Sequence, residues 1–260
     1  MKKIIFLFFI FLLLSPGNAF GQAKNSSELY NELLSSYRQY QSLLEPFSSA
    51  KSRYLAYQSV SAQSEFLEAS KRLIKAEIES MYSYASFVKR YLAEATKVLN
   101  YDENYIYVKL DDEITYLNLA REKANSVSTL NKAESLLKEL ESHYKGISLM
   151  GYQTKAITKI GSAKKIFDNL KVERGKIDNF LSSSEAAQNK VSASREKLTS
   201  IDKEVETVSG YIKTIETSYQ GFASNNSAAK SNEIWETITK SLVSMKSLIK
   251  GYRDIVFNFR

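Results

Sequence analysis

The chain has 260 residues, a formal charge of +7, no cysteine and one histidine, His143. The missing cysteine excludes disulfides, thiolate metal sites, a cysteine nucleophile and a lipid-bearing cysteine. Nine glycines and two prolines among abundant Lys, Glu, Ser and Leu favour long helices over any sheet.

Met1-Lys2-Lys3 is a short basic start, and Ile4 to Leu14 is an unbroken apolar run. Ser15-Pro16-Gly17 breaks it, and Ala19-Phe20-Gly21 puts small residues at the spacing a signal peptidase reads. This layout predicts a secretory signal over residues 1–21, cleaved after Gly21 or, as the alternative, after Ala23. The apolar run would span only about 16 Å as a helix, roughly half a bilayer's hydrocarbon core, which suits a signal rather than an anchor. The expected mature chain of about 239 residues is exported and soluble, in the periplasm, cell envelope or outside the cell. Loss of Lys2 and Lys3 leaves it near +5.

Residues 24–147 read as an N-terminal helical region with helices at about 26–45, 47–99, 104–125 and 129–146. Asn25 with Glu28 forms a capping-box pattern, and Leu29, Leu33, Tyr37, Tyr40 and Leu44 follow on one face. Glu45-Pro46 is expected to end or kink this helix, because proline disfavours helical geometry in the residue before it. The second helix is strongest at Ile74, Ile78, Met81, Ala85, Val88, Leu92, Ala95 and Leu99, alternating four and three. Asn100 to Asn104 reads as a turn. Tyr105 to Leu110 alternates like a strand, yet a lone strand cannot satisfy its backbone, so helix is predicted. Asn131 with Glu134 offers the next cap. Leu130, Ala133, Leu137, Leu140 and Tyr144 then line a helix up to Gly146.

Residues 148–260 read as a C-terminal bundle or coiled-coil region with helices at about 149–181, 184–222 and 229–259. One register runs from Ala163 through Ile166, Leu170, Ile177 and Phe180 without slipping at Ser182-Ser183-Ser184. Two helices with a tight connection are favoured there over one continuous helix. The next seam is Leu198, Ile201, Val205, Val208, Ile212, Ile215, Tyr219 and Phe222. The final helix carries Trp235, Ile238, Leu242, Met245, Ile249, Tyr252, Val256 and Phe259, flanked by Ile234, Leu248 and Ile255. That widened face suits packing inside a bundle, so the seams are expected to close within the chain; they are also the candidate partner or oligomer seam. The predicted class is all-α, an elongated helical bundle with coiled-coil-like antiparallel packing.

Chemistry is sparse. Di-iron bundles need Glu-x-x-His twice, and only His143 is present, four residues after Glu139, so no metal site is predicted. Histidine-based triads fall with it. Asp111-Asp112-Glu113 is the one dense acidic cluster, and paired carboxylates could serve a glycosidase, but long parallel helices seldom make a deep cleft. Acids near a helix start are explained by the macrodipole. Gly146, Gly151 and Gly161 stand singly, without a phosphate loop's lysine spacing. No catalytic residue, cofactor or metal is therefore assigned.

Partners are suggested by surface. Twelve of 17 tyrosines lie before Leu117, a pattern of contact surfaces or of an AT-rich genome. Basic residues exceed acidic ones seven to three from Gly151 to Leu181, and six to three from Ala228 to Arg260. These readings converge on a non-catalytic exported protein, an envelope or extracellular scaffold or a protein-binding module that binds a partner or itself. The alternatives are a holdase-type chaperone, which would expose seam residues such as Ile212 and Ile215, and a charge-driven binder of anionic polymer or membrane surface. Specific nucleic-acid binding and a transmembrane span are not expected.

Overall fold

A computed structural model describes residues 24–99, 104–184, 188–224 and 228–258. The signal with its cleavage point at Gly21, the turn at 100–103 and the side chains of Phe222 and Phe259 lie outside the described residues. Six helices and no strand are found among those described: α1 (Ser26–Tyr57), α2 (Val60–Leu99), α3 (Asn104–Asn125), α4 (Leu130–Ser183), α5 (Gln188–Ser224) and α6 (Ala228–Phe257). The protein is an all-α helical bundle.

The start of α1 follows its sequence signal. Asn25 Oδ1 accepts from the Glu28 N–H at 2.9 Å, and the Asn25 N–H donates to Glu28 Oε2 at 3.0 Å. Ser26 is tied across to α2, its hydroxyl donating to Glu94 Oε2 at 2.5 Å.

Pro46 does not end α1, contrary to expectation; the helix continues to Tyr57. Proline removes one backbone bond, but the turns beyond it pack along α2. Phe47 and Tyr54 both meet the Phe66 ring, with centroids 5.5 and 5.7 Å away. The break falls instead at Gln58, in the left-handed region at φ 45°, and α2 starts at Val60 rather than Phe47. Ser59 caps α2, its hydroxyl accepting from the Ala62 N–H at 3.2 Å.

The two helices predicted at 129–146 and 149–181 are one, α4, about 80 Å long. Its cap is Thr129, whose hydroxyl accepts from the Lys132 N–H at 3.3 Å, rather than Asn131. Gly146 and Gly151 are not stops. A Cβ at 146 would lie 3.2 Å from Glu113 Oε1, and one at 151 would occupy the space of the Tyr84 hydroxyl. Both glycines let a neighbouring helix approach closely. At its C-terminus α4 ends in an extended Ser184, and α5 begins at Gln188, so these are two helices.

Helices consecutive in the chain run in opposite directions. Arg53–Glu65 and Tyr30–Phe87 link α1 to α2, Glu79–Arg121 and Lys89–Asp111 link α2 to α3, and Glu113–His143 links α3 to α4. Lys164–Glu216 and Arg174–Asp202 link α4 to α5, and Lys197–Asp254 links α5 to α6. Tyr116–Glu139 and Ser218–Glu233 add second pairs for α3–α4 and α5–α6, and in every set one number falls as the other rises. One core, around Ile74, Ile78, Leu92, Leu110, Leu117, Leu140 and Ile147, joins α2, α3 and the first half of α4, with α1 laid along α2. A second, around Phe167, Leu181, Leu198, Val208, Leu248 and Ile255, joins the rest of α4 to α5 and α6. A junction cluster of Ala156, Ile160, Ile215, Ile234 and Ile238 lies between them. There α4 is buried over most of its circumference, including the polar Gln153, Thr154 and Thr158, with a half-buried stripe through Tyr152, Lys155 and Lys159.

Candidate functional site

The α5 seam is consumed inside the chain. Leu198, Ile201, Val208, Ile212 and Ile215 are buried, and Val205 and Tyr219 are half-buried against the same cores. Ile212 and Ile215, which a holdase surface would need exposed, are covered.

In α6 the covered stripe is displaced from the predicted one. Ile234, Ile238, Ser241, Met245, Leu248, Tyr252 and Ile255 are buried, whereas Leu242, Ile249 and Val256 remain 41%, 51% and 42% exposed. The flank predicted as secondary faces the core, because α4 and α5 both approach from that side. Trp235 is half-buried at the junction, with the Lys155 ammonium 4.6 Å above its ring.

Leu242, Ile249 and Val256 recur every seven residues; Ile249 and Val256 form one wall of a groove between α6 and α4, and Leu242 extends their row at helical spacing. The other wall carries Leu170 and Ile177, and Ile166 and Phe180 extend their row at helical spacing. The groove has a volume of about 430 Å³ and is lined also by Glu173, Tyr252, Arg253 and Phe257. On the α5 side the bundle is closed by a fork. Arg174 Nε and Nη2 donate to the two Asp202 carboxylate oxygens at 3.0 and 2.8 Å, and Nη1 reaches Asp178 at 3.3 Å. The hydrogen bonds to Asp202 raise the Arg174 pKa further above its ordinary value. The Tyr252 hydroxyl is buried without a hydrogen-bond partner, and burial raises its pKa. No helix among the described residues covers the opposite side of the groove.

The sequence-selected acids and histidine meet differently from the pattern weighed. His143 Nδ1 lies 2.6 Å from Glu113 Oε2, and its ring stacks on Tyr116 at 3.4 Å, while Glu139 takes Lys123 at 3.0 Å. Asp111 pairs with Lys89 instead of joining Glu113. Glu113 and His143 thus fasten α3 to α4. No group of His, Asp and Glu able to hold a metal occurs among the described residues.

Glu77 is a polar residue that the sequence reading missed. It stands on α2 among the buried Ile74, Ile78 and Met81, with Tyr40 from α1 and Tyr144 and Glu141 from α4 as electrostatic neighbours. Burial pushes its carboxyl up to about 7, and Glu141 adds to the effect. Burial likewise pushes Tyr40 up to about 12. A legible signal existed, since Glu77 has no Lys or Arg three or four positions away to pair with on its own helix.

Comparison with protein-family models, curated proteins and solved structures finds no match for this chain. No helix among the described residues is long and apolar enough to cross a membrane.

Proposed function

We propose that this is a non-catalytic exported protein, an elongated bundle with coiled-coil-like packing that acts as an envelope or extracellular protein-binding module or scaffold. The observation that carries the reading is the α4–α6 groove. Large apolar side chains recur on a helical repeat along its walls, and the α6 row stays about half exposed while Leu198, Ile201, Val208, Ile212, Ile215, Ile238 and Met245 of the seam pattern are buried. Exposed apolar surface organised in this way marks an interaction site. Export is supported by the Met1–Gly21 pattern.

A photo-crosslinking residue at Val256 in cells producing the full sequence tests the module. The control is the same residue at Lys203, on the exposed face of α5. Adducts to one defined protein at Val256, absent at Lys203, support the reading; equal or absent labelling at both positions refutes it.

A charge-driven binder of anionic polymer is the second reading, favoured by Lys240, Lys246 and Lys250 of α6, which have no ion-pair partner among the described residues. It predicts affinity that falls with salt and is indifferent to Ile249→Glu.

A further inference from the structure

We propose that the α4–α6 groove receives an amphipathic α-helix with acidic flanks, a fourth helix completing the three-helix half of the molecule. This rests on the protein-binding reading above. Shape is the first argument. Ile249 and Val256 on α6 face Leu170 and Ile177 on α4, and with Leu242 and Ile166 extending the two rows at helical spacing each runs through about three turns or more, ~17–21 Å. Two parallel walls with apolar residues at helical spacing match a helix laid between them, as in helix-in-groove recognition. A four-helix bundle places each helix antiparallel to its neighbours, so the guest runs antiparallel to α4 and α6.

Charge selects the guest. Lys246 and Arg253 stand three or four residues from Leu242, Ile249 or Val256, and Lys250 stands three or four residues from those two cations, so all three follow the ridge beside the apolar row and away from the core. All three are exposed. Lys246 and Lys250 have no ion-pair partner among the described residues, and Arg253 approaches only its neighbour Asp254, at 3.9 Å. The acids of α6, Glu233, Glu236 and Asp254, lie on its other faces. On the α4 wall Glu173 is already neutralised by Lys176 at 2.6 Å. The rim is therefore basic, and Glu or Asp flanking the guest's apolar stripe answers it. A second copy of this chain would bring Lys246 and Arg253 against their own equivalents, and like charges count against that occupant.

Two synthetic peptides of about three heptads, identical in their Leu and Ile stripe, would carry either Glu or Lys at the flanking positions. Binding to the exported chain, purified from cells producing the full sequence, is read by fluorescence anisotropy. The Glu peptide should bind roughly tenfold or more tighter than the Lys peptide. The triple variant Lys246→Glu/Lys250→Glu/Arg253→Glu should reverse that order, and Ile249→Glu should abolish both complexes while far-UV circular dichroism stays unchanged. Equal binding of both peptides, sensitive to Ile249→Glu, overturns the acidic assignment and leaves the module standing. Binding of neither peptide overturns the inference, and the Val256 crosslink then reports separately on the module. Unstructured poly-glutamate binding as tightly as the Glu peptide overturns it in favour of the anionic-polymer reading. A dimer that Ile249→Glu dissociates overturns it in favour of a second copy.

Discussion

Replacing Glu77 with Gln removes a carboxyl whose ionisation the fold opposes. Burial among Ile74, Ile78 and the tyrosines of α1 and α4 raises it from an ordinary 4.5 to about 7, with Glu141 contributing. A raised carboxyl binds its proton more tightly in the folded chain than in the unfolded one. The stability this provides is complete below about pH 4.5 and is lost as the pH rises through about 7. At ~1.4 kcal/mol per pH unit, the whole displacement corresponds to about 3 kcal/mol. Tyr40, pushed up to about 12, stays protonated throughout this window and adds no competing titration. Glu77→Gln should therefore leave stability little changed near pH 4 and raise it progressively to ~2–3 kcal/mol above wild type near pH 8. Urea denaturation followed by far-UV circular dichroism, repeated at intervals across that range, measures the difference. A gap between the two proteins that is constant with pH, or that narrows as pH rises, would refute the assignment to this position of a half-buried carboxyl with no ion-pair partner among the described residues.

Gly151→Ala should destabilise by ~1–3 kcal/mol because the Tyr84 hydroxyl fills the space of the new methyl, whereas Gly175→Ala should stabilise by ~0.5–1 kcal/mol, since nothing lies within 4 Å of a Cβ there. Thermal melts of the pair should move in opposite directions, and shifts of the same sign would contradict the packing described at Gly151. Gln58→Gly should raise stability by about 0.5–1 kcal/mol by relieving the positive φ at the α1–α2 turn, while Gln58→Val should lower it. If both variants melt with the wild type, the turn is not left-handed at that residue. Asn25→Ala should cost about 1 kcal/mol through loss of the capping box, with hydrogen exchange quickening in the first turn of α1 before any other helix responds.

The sequence by itself determined that the chain is helical and, for the most part, where its apolar faces lie. Helix formation is written in local terms: few breakers, a capping box at Asn25, and apolar residues at three-four spacing. These rules need no knowledge of the neighbours, so the faces through Ile74–Leu92 and Leu198–Ile215 emerge buried as their spacing requires. Where helices stop was less legible. Pro46 is a strong local breaker, but the contacts of Phe47 and Tyr54 with Phe66 outweigh one missing backbone bond, so tertiary packing carried α1 through it. Gly146 reads locally as a helix end and Gly151 as an ordinary helical glycine, yet α3 and α2 press against them from outside, and only the assembled bundle reveals that use. The groove was the furthest from view. α6 presents an apolar face wider than one neighbour can cover, and periodicity cannot say which flank will be hidden. The positions of α4 and α5 decided it, burying Leu248 and Ile255 and leaving Leu242, Ile249 and Val256 at the surface. Burial depends on how many helices surround a face, which is a property of the whole fold and not of any one segment's repeat.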